Sequence, residues 1–77
     1  MIMEKVNIEL SKDEALVLFE FLHQIGQENR ENIFEDKAEQ IVVWNIESLL
    51  EKLLIEPLSE NYNKLLIVAR KNVRNEF

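Results

Sequence analysis

Cysteine is absent from this 77-residue chain, and glycine, proline and histidine occur once each. Without cysteine there is neither a disulfide framework nor a thiolate nucleophile, and His23 alone cannot furnish a structural zinc site. The single glycine, Gly26, excludes the Gly-rich loops that cradle phosphates. No apolar run approaches the roughly 18 residues needed to cross a bilayer. The start, Met1 to Lys5, turns polar too soon for a signal peptide. These absences describe a cytoplasmic protein with no metal and no cofactor, an expectation that the lack of cysteine also fits.

A chain of this length is expected to form one domain, residues 1–77, with one small core. Such domains bury only about 60% of their unfolded surface, so they commonly lean on disulfides, a metal or a second subunit. With the first two removed by composition, oligomerisation is the remaining route. Charge narrows the partners further. Nine Lys and Arg face fifteen Asp and Glu, a net charge of −6, which disfavours nucleic acid and anionic membranes. The imbalance is uneven: residues 1–60 carry 14 acidic and 5 basic side chains, residues 61–77 one acidic and four basic. A basic protein partner would therefore meet the front of the chain.

One segment alternates apolar and polar residues with period two, Val6-Asn7-Ile8-Glu9-Leu10. That is the pattern of a half-buried strand, expected over about residues 4–10. A strand needs hydrogen bonds from a neighbour, and no second segment here alternates comparably. The partner strand is therefore expected on another chain, most simply a second copy. Val6, Ile8 and Leu10 would face the helices, and Lys5, Asn7 and Glu9 would face water.

Three helices are expected after it, over about 11–26, 36–55 and 59–75, giving a mainly α, β-α-α-α chain. Ser11-Lys12-Asp13-Glu14 is a capping box that opens the first, with Gly26 as its stop. Its apolar arc reads Ala15, Leu18, Leu22 and Ile25, flanked by Val17, Phe19 and Phe21. Asp36 with Glu39 repeats the cap logic for the second helix, whose stripe reads Ala38, Val42, Ile46, Leu49 and Leu53. Leu50, Val43 and Leu54 widen that stripe, so this helix is expected to touch both others. Pro57 ends it, because the residue before a proline resists helical backbone. Ser59 caps the third, with Tyr62, Leu65, Leu66, Ala69 and Val73 inward.

Candidate chemistry is sparse. His23 has no sequence-defined relation to a Ser or carboxylate and reads as a surface histidine, although a small-ligand or enzyme module with a pocket near it is the alternative of a different class. Glu35, Asp36 and Glu39 read as cap and dipole residues rather than metal ligands. Lys64, Arg70, Lys71 and Arg74 complement the negative end of the third helix. Trp44 projects about 160° from the Val42, Ile46, Leu49 stripe and calls for a cover, from this chain or a partner. Leu16 falls with Glu20, His23 and Gln27 on the polar face of the first helix. The interface candidates are thus Val6, Ile8, Leu10, Leu16 and Trp44.

The runs Leu10 to Leu22, Ala38 to Trp44 and Ile55 to Leu58 resemble a family of small acidic bacterial proteins of mostly unassigned function. In size and charge the chain is similar to the immunity proteins of bacterial toxin systems. That likeness implies no catalytic residue. The expected function is a non-catalytic interaction module, homodimeric through its N-terminal strand and immunity- or antitoxin-like toward a basic partner. A structural or regulatory subunit of a larger assembly is the alternative.

Overall fold

The computed structural model describes residues 4–27 and 33–76. They form three helices, α1 (Lys12–Gln27), α2 (Lys37–Leu53) and α3 (Tyr62–Glu76), with a 3-10 turn at Glu56–Leu58 between the last two. The mainly α expectation holds. The caps follow the sequence closely. Ser11 Oγ accepts from the Glu14 amide at 3.1 Å while Glu14 Oε1 accepts from the Ser11 amide at 2.9 Å, a reciprocal box that satisfies two donors left over at the start of α1. At α2, Asp36 Oδ1 accepts from Ala38 N at 2.7 Å and Glu39 Oε1 from Glu35 N at 2.8 Å. Such caps contribute about 1 kcal/mol each.

Several boundaries differ from expectation for local reasons. α1 runs through Gly26 to Gln27. α2 ends earlier than expected, at Leu53, where the extended backbone of Leu54 donates its N–H to Leu50 O. The stretch before Pro57 then tightens into the 3-10 turn, in which the proline needs no N–H. Ser59 therefore caps a turn rather than a helix: α3 begins only at Tyr62, with Lys64 and Leu65 donating back to Asn61 O.

No strand is present among the described residues. Residues 4–10 have no regular secondary structure and are exposed, Val6 at 90% and Ile8 at 75%. The expected inward row does not form on this chain's own helices. The physical reason is the one that made the segment conspicuous: a lone strand has no ladder, and the described residues supply no second strand.

α1, not α2, is the middle helix. It packs on α3 along one flank and on α2 along the other. Both neighbours run antiparallel to it: Tyr62 pairs with Glu20 and Asn72 with Asp13, while Glu47 pairs with His23 and Glu56 with Lys12. The core comprises Ala15, Leu16, Phe19 and Leu22 from α1, Leu50 and Leu54 from the end of α2, and Leu66 and Ala69 from α3. Leu16, expected on an outward polar face, is only 3% exposed. The inward face of α1 is rotated from the expected arc toward its polar edge, so that Leu16 and Phe19 lead and Leu18 stands at the margin. On α3 the expected stripe is buried or half-buried throughout.

Candidate interaction surfaces

The rotation of α1 is possible because its polar edge finds partners. Glu20 Oε1 accepts from the Tyr62 hydroxyl at 3.0 Å, and Glu20 Oε2 accepts from Gln24 Nε2 at 3.0 Å. His23 Nδ1 lies 3.0 Å from Glu47 Oε2, and its ring stacks on Phe19 with centroids 6.1 Å apart. Asn72 Nδ2 donates to Asp13 Oδ2 at 3.0 Å, and Lys12 Nζ sits 3.3 Å from Glu56 Oε2. Polar groups brought inward with partners cost little, whereas unpaired ones would hold that face outward. His23 is thus no plain surface residue: it ties α1 to α2. The carboxylates of Asp36 and Glu39 cap the start of α2, Glu35 contributing only its backbone N–H, and among the described residues no three His, Cys, Asp or Glu gather as a metal site.

Tyr62 registers this latch electrostatically. Partial burial, then the hydrogen bond to Glu20 and the charge of that carboxylate, push its phenol up to about 12, against a smaller opposing pull from Arg70. The folded state therefore holds the Tyr62 proton in a range where the unfolded chain, near 10, has lost it. The stabilisation is present in full below pH 10 and is lost as pH rises from there through 12. Tyr62 is the only tyrosine. Its absorbance titration is expected to have a midpoint near 12, lowered only in part in Glu20→Gln because burial of the phenol remains; a midpoint of 10 in the parent chain would contradict the latch. Glu56 is shifted the other way, held below the usual carboxylate range by its backbone hydrogen bond and by Lys12.

The remaining surface is apolar to an unusual degree. Among the described residues fifteen large apolar side chains are exposed, against eight buried apolar residues in the core. Nine of the fifteen gather in three places. Val6, Ile8 and, less fully, Leu10 project from the N-terminal segment. On α2 the expected stripe is the uncovered one: α1 takes the edge formed by Val43, Leu50 and Leu54, leaving Ala38, Val42, Ile46, Leu49 and Leu53 exposed. Ile55 and Leu58, with the half-buried Leu65, line a shallow cleft beyond the end of α2. Trp44 is 50% exposed, so no described element of this chain supplies the full cover its position calls for.

Of the five interface candidates read from sequence, four lie on the surface, and Leu16 lies in the core. The α2 face was missed as a surface because its apolar pattern reads equally as core. No helix among the described residues is long and apolar enough to cross a membrane. Comparison with family models, with curated proteins and with solved structures yields no match.

Proposed function

We infer that this chain is a non-catalytic interaction module that works as a homodimer, completed by pairing of its N-terminal segments. The observation that carries the reading is the excess of exposed over buried large apolar side chains, with Val6 and Ile8 the extreme cases. A monomer rarely leaves so many more large apolar side chains in water than it buries.

Pairing of residues 4–10 with a second copy has a natural register. An antiparallel ribbon centred on Asn7 sets Val6 across from Ile8 on one face and Lys5 across from Glu9 on the other. Val6 and Ile8 then form an apolar centre, Leu10 lies beside Glu4 at each end, and each outward Lys5 faces a Glu9 carboxylate. Backbone groups that lack partners in one protomer gain them in two. An immunity- or antitoxin-like role toward a basic protein is the use that the acidic residues 1–60 favour, because complementary charge speeds encounter and selects partners.

Amide hydrogen exchange on the full chain at two concentrations tests the reading. Residues 4–10 are expected to gain protection as concentration rises, together with a doubling of mass in light scattering. A monomeric mass with unprotected amides at both concentrations would overturn it.

A further inference from the structure

The uncovered row on α2 has a regular layout: Ala38, Val42, Ile46, Leu49 and Leu53, spaced by four, four, three and four residues. Val42, Leu49 and Leu53 are 53%, 58% and 75% exposed. The row is about 22 Å long at the helical rise. It carries no charge. Glu39 and Lys52 flank it on opposite sides, and Glu47 is turned away toward His23.

We propose that this face is the helical half of the contact with a second copy of the chain, α2 lying antiparallel against α2 about a two-fold axis between Asn45 and Ile46. The proposal rests on the homodimer reading and names a second surface that takes part in it.

Three observations select this occupant. First, an isologous contact sets one patch against the same patch of the second copy, and a charge-free row can be buried that way without enclosing an unpaired charge. Second, the row is nearly its own reverse. About the proposed axis Ala38 of one copy meets Leu53 of the other, Val42 meets Leu49, and Asn45 meets Ile46. Each pair sets a smaller side chain against a larger one, which lets the two rows interdigitate. Parallel pairing would instead stack Leu53 on Leu53, Ala38 on Ala38, and like ends of two helix dipoles together.

Third, the areas and lengths agree. The row offers on the order of 400 Å² of apolar surface, about half of the roughly 800 Å² that each partner gives to a standard stable interface. The N-terminal segment can supply the remainder. It leaves α1 at Ser11, beside the end of α2 where Lys12 meets Glu56, and seven extended residues span about 23 Å, the length of the row. Two such segments, antiparallel across the same axis, form a ribbon that covers the helix pair with Val6, Ile8 and Leu10 turned inward.

Sedimentation velocity on the full chain tests this, with the parent compared with Leu49→Glu/Leu53→Glu and the milder Leu49→Ala/Leu53→Ala. Both sites are exposed in the protomer, so far-UV circular dichroism is expected to stay helical. Self-association is expected to weaken roughly 100-fold in the Glu pair and less in the Ala pair. A Glu pair that remains as dimeric as the parent would overturn the α2 contact while leaving the homodimer reading intact. A parent chain that is monomeric at about 100 μM would overturn both. Because the chain has no cysteine, the register can be read directly. Val42→Cys/Leu49→Cys is expected to oxidise to a covalent dimer and Leu53→Cys alone is not, whereas ready cross-linking through Cys at position 53 alone would overturn the antiparallel arrangement.

Discussion

Leu16→Ala is expected to lower stability by about 2–5 kcal/mol, the loss typical of truncating a buried leucine. The side chain is almost wholly enclosed and packs in the cluster formed by Ala15, Phe19, Leu22, Leu50, Leu54 and Ala69. Its removal both returns apolar surface to water and leaves a cavity at the centre of the three-helix arrangement. For a chain of this length, total stability is about 4–12 kcal/mol, so one substitution takes a large share. Urea unfolding at a single protein concentration, followed by circular dichroism, measures it as a lower midpoint with an unchanged slope. The comparison that gives the result meaning is Leu18→Ala on the margin of the same helix, which should cost distinctly less. Equal costs, or a Leu16 effect within about 0.5 kcal/mol, would place α1 in the rotation its apolar residues alone suggest.

Ala69→Glu should be at least as damaging, with an expected loss of about 3–5 kcal/mol, because an unpaired carboxylate would sit at the α1–α3 seam. Ala69 has no accessible surface at all, and the absence of a larger side chain there is what allows the two helices to approach. A glutamate at that fully enclosed point is cut off from water and must either ionise in an apolar setting or take up a proton. The variant is expected to be largely unfolded at 25 °C, seen as lost helical ellipticity. Lys71→Glu, two residues on and exposed, changes charge by more yet should move stability by less than about 0.5 kcal/mol. If the two variants unfold alike, the effect is one of net charge rather than of burial.

How much of this was legible beforehand differs by element. The reciprocal contacts of Ser11 and Glu14 and the side-chain cap from Asp36 follow from spacing alone, because caps are local and depend on residues within one turn. The inward stripe of α3 was legible for a related reason: its apolar arc is narrow, and its polar residues have one place to go. α1 was not, because its arc spans half the helix and the choice within it depends on distant groups. Nothing around Glu20 or His23 announces that Tyr62, 42 residues on, and Glu47, 24 residues on, will pair with them. α2 poses the same ambiguity more sharply. Val42, Leu49, Leu53 and Val43, Leu50, Leu54 are adjacent edges of one broad arc, and only the position of α1 decides which is core and which is surface. The N-terminal alternation led to the expectation of a strand that residues 4–10 do not form, because a pattern within one segment cannot supply the second strand a ladder needs.

The placement of α1 between its neighbours has a dynamic corollary. α2 is moored along a single edge, through Val43, Leu50, Leu54 and the Glu47 carboxylate, and its other long side is exposed among the described residues. Lifting it away breaks one seam and leaves the α1–α3 pair whole, which makes this the least costly way for the molecule to open in part. A second subunit gripping the free side would shut that opening, so joining two copies and quieting the motion of one helix become a single event.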